Sequence, residues 1–326
     1  MKRKILTMLR ENGAYVSGQQ LCERLGVSRT AVWKTINALK AEGYEIEAVQ
    51  NKGYCLLQAP DVLTEAEVGS RRTDRWREAP LIVYTETDST NNQARRLAQE
   101  GNPEGTLVVA DRQTRGKGRR GRVWETPAGA GIAMSFVLKP EIAPQDASQL
   151  TILAALASLR AIRDVSGIDC AIKWPNDLVL NRRKLCGILT EMNLEEDYIQ
   201  QIVVGIGFNV HHEAFPESLA DKATSLYLET GRKYSRAEIV CRVMQHFADY
   251  YDQFLEQRNL AFVREEYNQL LISRGESVRV LGVGQEWSGR SLGINDTGSL
   301  LVETERGEIR EVLAGEVSVR GLYSYA

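Results

Sequence analysis

Positive charge and glycine are interleaved in the segment Arg112–Arg122. Six of its eleven residues are lysine or arginine, and Gly116, Gly118 and Gly121 stand among them. Glycine lets a backbone approach a ligand closely and present N–H groups to phosphate oxygens, and arginine adds charge-assisted, bidentate hydrogen bonds. The composition therefore indicates a loop that could hold an anionic, phosphate-bearing ligand.

The same segment excludes one common phosphate-binding motif and leaves other interpretations open. It contains no G-x-x-x-x-G-K-[ST] sequence, and it leads toward a strand rather than a helix, so it is not a P-loop. An arm that binds nucleic acid and a mobile surface loop are equally compatible with its composition.

A second group of candidate residues follows in the segments 173–189 and 203–210. Lys173–Asp177 predicts a tight polar turn, and Lys184 lies further along the next strand, close to Gly187. In the sequence VVGIGFNV, Gly205 and Gly207 fall in a buried strand, where glycine usually permits the close approach of a ligand or another backbone. A cation would thus stand where the backbone is nearly bare, which favours a small-molecule ligand over a nucleic-acid arm.

The first 60 residues predict a DNA-binding unit. Leucine spacing indicates a helix that ends at Gly26, and Ser28 is a suitable N-cap for the next helix, so that a tight turn joins the two as in a helix-turn-helix. The sequence YEIEAVQNKGYCLL then predicts a β-hairpin wing. The second of these helices displays residue types that read DNA grooves and bind phosphates: Ser28, Arg29, Thr30, Trp33, Lys34 and Asn37.

The pattern changes twice more along the chain. From about Leu81 it is mixed α/β, with a helix after Ser89, two strands around one polar turn in the segment 169–194, and a single helix over 236–264. From about Glu276, short strands alternate with glycine-containing turns, which predicts a small β-barrel.

Composition excludes several protein classes. The chain is 43% hydrophobic and 26% charged, as expected of an ordinary globular protein, and no apolar run reaches the roughly 20 residues that span a bilayer. Five scattered cysteines form neither a disulfide framework nor a zinc site, and the N-terminus lacks the features of a signal peptide. We therefore expect a cytoplasmic protein without a membrane-spanning segment. The pair His211–His212 is expected on a loop surface.

Taken together, the motifs resemble those of bacterial biotin protein ligases of the bifunctional kind that also repress the biotin operon. The matching pieces are S-T-N at Ser89–Asn91, Gln113, G-K-G-R-R-G-R at Gly116–Arg122, K-W-P-N-D at Lys173–Asp177, R-K-L-C-G-I-L at Arg183–Leu189 and G-I-G-F-N-V at Gly205–Val210. The resemblance covers essentially the whole length. One departure is Lys117, where the family often has arginine; lysine keeps the charge but loses the bidentate fork.

The resemblance implies a fold, an activity and partners. The fold is an α+β multidomain protein with a winged helix-turn-helix (1–63), a central mixed α/β ligase domain of the class II aminoacyl-tRNA synthetase and biotin ligase type (64–274), and a small SH3-like β-barrel (275–326). The activity joins biotin to ATP, with Mg²⁺, as biotinyl-5′-AMP, and passes the biotinyl group to a lysine of the carrier domain of acetyl-CoA or pyruvate carboxylase. Operator DNA and a second copy of the chain are the other implied partners.

The resemblance also assigns residues. It implies catalytic roles for Lys184, Arg119 and Asp177, although Asp177 could simply close its turn. Trp124 is either a lid over adenine or core packing, and Asn209 would reach the nucleotide. The residues implied in biotin or adenylate binding are Ser89, Thr90, Asn91, Gln113, Gly116, Lys117, Gly118, Arg119, Arg122, Trp124, Lys184, Gly187 and Asn209. The sequence does not indicate the ligands of the metal.

Two other functions remain as alternatives. A transcription regulator whose α/β body only senses a small molecule would account for residues 1–60, but it gives no reason for Lys184 beside a basic glycine loop. A ligase for lipoate or another acyl group would share the adenylation chemistry.

Overall fold

The computed structural model describes residues 1–195, 198–281, 286–314 and 318–321 of the chain. Residues 322–326 of the expected C-terminal domain lie outside the described residues. The helices are α1 (Lys2–Asn12), α2 (Gly18–Leu25), α3 (Arg29–Ala41), α4 (Glu65–Arg71), α5 (Thr90–Gln99), α6 (Gln149–Ser166), α7 (Glu217–Ala220), α8 (Leu226–Thr230), α9 (Arg236–Gln257) and α10 (Ala261–Leu270).

The strands fall into three sheets. They are β1 (Glu45–Val49), β2 (Gly53–Gln58), β3 (Leu81–Thr87), β4 (Leu107–Gln113), β5 (Gly131–Leu138), β6 (Ala171–Lys173), β7 (Asp177–Leu180), β8 (Arg183–Glu195), β9 (Tyr198–Asn209), β10 (Ser277–Leu281), β11 (Glu286–Ile294), β12 (Leu300–Thr304), β13 (Ile309–Val312) and β14 (Ser318–Gly321). The sheet orders are β1-β2, β3-β4-β5-β9-β8-β7-β6 and β13-β12-β11-β10-β14.

The N-terminal unit is a winged helix-turn-helix, as the sequence predicts. Helices α1, α2 and α3 bury Ile5, Leu21 and Ile36 against one another, and β1 and β2 form the antiparallel wing. The hydroxyls of Ser17 and Ser28 accept backbone N–H groups from the first turns of α2 and α3. These caps satisfy donors that a helix N-terminus otherwise leaves unpaired.

The central sheet is covered by helices on both faces. Leu107 and Val109 of β4 point into the core shared with α6 and α9, whereas Val108 packs with Ala94 and Ala98 of α5 on the opposite face. Because side chains alternate along a strand, burial on both faces produces the continuous apolar runs seen in β4 and β5.

The pairing of the strands brings the candidate residues to one end of the central sheet. Strands β3 and β4 are parallel, so both end there, with Thr87 opposite Gln113. Strands β5 and β9 are antiparallel, and the first residue of β5, Gly131, lies opposite the last residue of β9, Asn209. The Asn209 side chain in turn donates to the Lys184 carbonyl at the start of β8, at 3.4 Å. Motifs that are far apart in sequence therefore lie together at one end of the central sheet.

Two predicted elements are wrong in detail. The single helix expected over 236–264 is divided, because Arg258 adopts a left-handed backbone (φ 58°) that ends α9, and the Asn259 side chain accepts the N–H of Ala261 at the start of α10. The segment expected to form two strands forms three, β6, β7 and β8. Its second turn is made by Asn181 and Arg182, both at positive φ.

The C-terminal strands form a five-stranded antiparallel sheet that is attached to the central unit. The Asn268 side chain exchanges hydrogen bonds with the backbone of Ile294, and the Trp174 indole donates to the Gly298 carbonyl at 3.0 Å. Within the described ranges, no helix has an apolar stretch long enough to cross a bilayer.

Candidate functional site

A network of buried polar side chains lies where α5 begins. The Gln113 side-chain oxygen, on β4, accepts the Thr90 N–H at 2.8 Å and so caps α5 in place of Ser89. The Ser135 hydroxyl, on β5, lies 2.7 Å from the Thr90 hydroxyl and 2.6 Å from the Asn91 side-chain oxygen. Each of these groups is fixed by a neighbour, so the network presents polar atoms in a set geometry.

The basic glycine loop folds back over this network as an irregular hairpin. Isolated bridges join Gln113 to Thr126 and Lys117 to Val123, and the Trp124 N–H donates to the Gly116 carbonyl at 3.0 Å. The ammonium group of Lys117 donates to the Asn92 side chain of α5 at 2.7 Å. The loop is thereby placed beside the start of α5.

Two glycines of β9 leave space that neighbouring side chains fill. A Cβ on Gly205 would lie 1.9 Å from the Asn91 side-chain oxygen, and one on Gly207 would lie 2.3 Å from the Trp124 indole nitrogen. The sequence correctly indicated close approach at both positions. What approaches them, however, is a side chain from α5 and one from the loop, not another backbone.

Trp124 is half-buried against this bare strand and faces a cation. The Lys184 ammonium lies 5.3 Å from the centre of the indole ring, a cation–π distance, and the ring also lies close to Gly187. The indole therefore lies in the cavity and not in the hydrophobic core, which argues against core packing as the role of Trp124.

Lys184 and Asp177 pair beneath the loop, and Arg119 of the loop lies close to Asp177. The Lys184 ammonium lies 2.7 Å from a carboxylate oxygen of Asp177, and the Arg119 guanidinium donates to the Asn176 side chain at 3.0 Å and to the carbonyl of Ala314. Burial lowers the pKa of Arg119, and the neighbouring basic residues of the loop lower it further, while Asp177 opposes the shift. Arg119 thus connects the loop both to the K-W-P-N-D turn and to the segment that follows β13.

Two adjoining cavities open at this place. A narrow one of about 40 Å³ lies over the polar network, and a large one of about 1360 Å³ lies beyond Lys184. Lysines and arginines outnumber carboxylates nine to three among the residues that line the large cavity. The residues that line both cavities are Gly118, Arg119, Trp124, Asn176 and Lys184. The cleft as a whole suits an anionic ligand whose charged end lies in the large part and whose uncharged, hydrogen-bonding end enters the narrow part.

Comparison with known proteins agrees with this geometry. The chain matches the Biotin/lipoate A/B protein ligase family over residues 83–209, an HTH domain over residues 2–55 and the Biotin protein ligase C terminal domain over residues 275–320. It is 38% identical over 322 residues to the Bifunctional ligase/repressor BirA of Bacillus subtilis, covering 98% of each chain. The chain belongs to the biotin protein ligase family.

Two further relatives of this family cover the ligase part. The Biotin--[acetyl-CoA-carboxylase] ligase of Paracoccus denitrificans is 35% identical over 249 residues, which are 73% of this chain and 100% of that protein. The solved structure of the biotin protein ligase from Aquifex aeolicus in complex with biotin and ATP is 34% identical, with a TM-score of 0.65, and covers 74% of this chain and 99% of its own.

The ligand-binding residues that the family resemblance implies lie together around the two cavities. Twelve of the thirteen line one cavity or the other. The exception is Gly116, which instead lies against the Trp124 backbone, where a Cβ would come within 2.2 Å of the Trp124 carbonyl oxygen. Their roles in ligand binding remain predictions, but their assembly from four separate segments is a feature of the fold.

The residues assigned to DNA lie on the surface of the N-terminal unit. Ser28, Arg29, Thr30, Trp33 and Lys34 are exposed, and Asn37 is half-buried. Arg29 also borders a groove between α3 and the wing, next to Asn51 and Lys52. The groove lies between the two elements that a winged helix-turn-helix uses to contact DNA.

The expectation for His211–His212 is wrong. Both side chains are buried, at 8% and 7% exposure, because the chain after β9 turns inward instead of lying on the surface. The His212 ring stacks on Phe215 and borders the large cavity. Burial, with a contribution from neighbouring His211, lowers the pKa of His212 to about 4, so the ring is neutral at pH 7.

The sequence did not point to two residues of the network, Ser135 and Glu191, or to the partner of Asn176. Ser135 could have been found, because it is a polar residue in the otherwise apolar strand GIAMSFVL. Glu191, which accepts from the Asn91 amide at 2.7 Å, carried no local signal. Asn176 belongs to the K-W-P-N-D turn that the sequence singled out, but its contact with Arg119 could not be foreseen. Their partners come from other segments, and only the fold brings each pair together.

Proposed function

We propose that this chain joins biotin to ATP as biotinyl-5′-AMP, transfers the biotinyl group to a lysine of a carboxylase carrier domain, and represses biotin genes when the adenylate is bound. The observation that carries the proposal is the position of Lys184. It lines both cavities, at the junction between the narrow cleft with its uncharged polar network and the cationic space for a nucleotide. A biotin carboxylate and an ATP α-phosphate would meet at that junction.

The reaction has two steps, each with a developing negative charge. First, a biotin carboxylate oxygen attacks the α-phosphorus, and the bond to the bridging oxygen of the β-phosphate breaks, which releases pyrophosphate. Then the lysine amine attacks the acyl carbon, the bond to AMP breaks, and the nitrogen loses a proton. Lys184 and Arg119 are oriented by Asp177 and Asn176 and would stabilise the charge without reorganising.

Asp177 is proposed to act mainly by orienting Lys184. Its carboxylate lies 2.7 Å from the Lys184 ammonium, and its backbone pairs with Lys173 across the turn and with Gly187 of β8. To act as a base for the incoming lysine amine at the second step, Asp177 would have to leave its ion pair with Lys184. Trp124 is proposed to cover the adenylate, because its ring is held by the loop and lies in the cavity.

The donor set around the large cavity fits Mg²⁺ that arrives with ATP. Such a magnesium ion takes one or two protein carboxylates and completes its shell with phosphate oxygens and water. Glu125, Asp177 and Asp221 line the large cavity, and no group of three or more His, Cys, Asp or Glu side chains in the described part of the chain forms a complete metal site. When bound, the ion would neutralise phosphate charge and assist the departure of pyrophosphate.

The remaining expectations belong to the same proposal. We place the domain boundaries at 1–63, 64–274 and 275–326, with a homodimer formed on adenylate and DNA binding. A carrier domain of acetyl-CoA or pyruvate carboxylase is the proposed acceptor. The five cysteines, all within the described ranges, are unbridged, in keeping with a reducing cytoplasm.

The test is a direct assay of adenylate formation. The protein is incubated with biotin, radiolabelled ATP and Mg²⁺, and pyrophosphate and labelled adenylate are measured, with lipoate as a competing substrate. Biotin-dependent pyrophosphate release that lipoate does not inhibit is expected. Absence of an adenylate would favour the pure sensor, and preferential use of lipoate would favour the other acyl ligase.

A further inference from the structure

Arg236, the first residue of α9, lies outside both cavities and is 3% exposed. Its guanidinium binds two carboxylates: Nε donates to Asp61 at 2.7 Å and Nη1 donates to Asp111 at 2.5 Å. The backbone N–H of Arg236 also donates to Asp61, at 2.8 Å. A buried guanidinium with two acidic partners is costly to assemble, so its contacts indicate what must be held together here.

One side of this cluster holds both ends of the basic glycine loop. Asp111 is the residue just before the segment Arg112–Arg122, and its carboxylate also accepts the N–H of Gly129 at 3.1 Å. After the loop, the carbonyl of Gly131 accepts from Arg236 Nη1 at 3.1 Å. A single guanidinium is therefore bonded to the residues on each side of the loop.

The other side holds the connection between the DNA-binding unit and the ligase unit. Asp61 lies between β2 and α4, and its carboxylate is 3.4 Å from His211 Nδ1. The backbone N–H of His211 in turn donates to the backbone carbonyl of Ala130, at the end of the loop, at 2.6 Å. The linker, the loop and the end of β9 meet at Arg236.

We propose that Arg236 is a positioning residue with two separable effects. Through Asp111 it fixes the ends of the loop, so that the loop retains the adenylate. Through Asp61 it fixes the linker to the same point, so that the state of the loop reaches the DNA-binding unit. Without the guanidinium, Asp61 and Asp111 would face each other as uncompensated carboxylates, and the loop and the linker would separate. This inference rests on the proposed role of the loop over the adenylate.

The two carboxylates allow the effects to be tested separately. Asp111→Asn should speed adenylate dissociation about tenfold, because it removes the charge from one charge-assisted hydrogen bond that holds the end of the loop. Asp61→Asn should leave adenylate dissociation unchanged while reducing the strengthening of operator binding that adenylate causes. Arg236→Gln should show both effects. Arg236→Lys should restore the stability of the folded protein but not the retention of adenylate, because a single ammonium group cannot bind both carboxylates as the guanidinium does. Arg242→Gln, on the exposed face of the same helix, is the control.

The measurements are adenylate dissociation, KM for biotin against the single-turnover rate, and amide exchange over residues 59–63 and 114–129 without ligand. For Asp111→Asn and Arg236→Gln, the proposal expects the KM for biotin to rise while the single-turnover rate stays unchanged. Amide exchange should quicken in the loop for Asp111→Asn and in the linker for Asp61→Asn. The proposal would be overturned if Asp111→Asn and Asp61→Asn changed adenylate dissociation and amide exchange equally, or if neither variant changed them. Failure of the unaltered protein to make adenylate would instead refute the proposed function, since the exchange readout needs no ligand.

Discussion

Lys184 is the residue on which the proposed chemistry depends most. Its ammonium lies at the junction of the two cavities and is held by Asp177 and by the Trp124 ring. The sequence could indicate it, because a lysine close to Gly187 and followed by the glycine strand is an unusual combination. The sequence could not indicate that Asp177 binds it, since that contact depends on the register between β7 and β8.

Lys184→Ala should abolish adenylate synthesis far more than biotin binding. The cation is needed most where negative charge gathers in the transition state, and the loss of one such group typically lowers kcat by about 10²–10³-fold. Single-turnover synthesis and biotin titration measure the two effects. Lys233→Ala, an exposed lysine outside both cavities, is the matched control and should stay near the unaltered rate. An unchanged rate for Lys184→Ala would remove it from the catalytic residues.

His212 should make the protein less stable in mild acid. Its pKa of about 4 in the folded chain lies below the ordinary value of 6.5, so between those values only the unfolded chain takes up the proton. The contribution of His212 to the free energy of unfolding is complete above pH 6.5 and is lost as the pH drops toward 4. The loss is about 2 kcal/mol between pH 7 and pH 5. Urea unfolding of the unaltered protein and of His212→Phe at both pH values measures the difference. Equal losses in the two proteins would contradict the prediction.

At the scale of elements, sequence patterns gave the helices and strands but not all of their ends. Caps such as Ser28 and the apolar periodicity were sufficient for the N-terminal unit. The break at Arg258 was not visible, because an arginine at positive φ carries no sequence signal, unlike glycine. The loop could be identified from composition, whereas its bridges to Thr126 and Val123 depend on tertiary contacts.

The basic loop should become more protected when the adenylate binds. Its like charges repel each other until an anion lies among them, so amide exchange over Gly116–Trp124 should slow sharply with biotinyl-AMP. Arg119→Ala should release the adenylate about 10- to 100-fold faster, because a charge-assisted contact contributes about 1.5–3 kcal/mol. Equal exchange in the two states would refute the idea that the loop is a lid.

At the scale of the whole molecule, a buried ion pair joins the DNA-binding unit to the ligase unit. Glu67 of α4 is fully buried, and its carboxylate accepts from Arg10 of α1 at 2.8 Å, from Arg71 at 2.7 Å and from the Tyr44 hydroxyl at 2.8 Å. Burial opposes ionisation, but the two arginines outweigh it and lower the pKa of Glu67. The charged carboxylate of Glu67 therefore contributes to holding the two units together, beside the bonds from Arg3 to the carbonyls of Gly69 and Arg77.

Glu67→Gln should destabilise the contact between the two units. Removing one partner of a buried ion pair costs about 3–5 kcal/mol, because Arg10 then lacks its counter-charge and Arg71 keeps only Glu238, at 3.3 Å. In urea, the N-terminal unit should unfold at lower concentration than the ligase unit, as a separate transition. Glu65→Gln, on the exposed side of the same helix, should change little. A single transition at the original midpoint in Glu67→Gln would contradict this account.

The central claim is that one chain makes the adenylate and then uses it to bind DNA. The most direct measurement is the affinity for a palindromic site upstream of biotin genes, with biotin and either ATP or an ATP analogue whose α,β bridge cannot be cleaved. The account predicts tighter binding with ATP only, with a steep dependence on salt because phosphate contacts release counterions. Equal affinity with ATP and with the analogue would show that adenylate formation does not control the repressor.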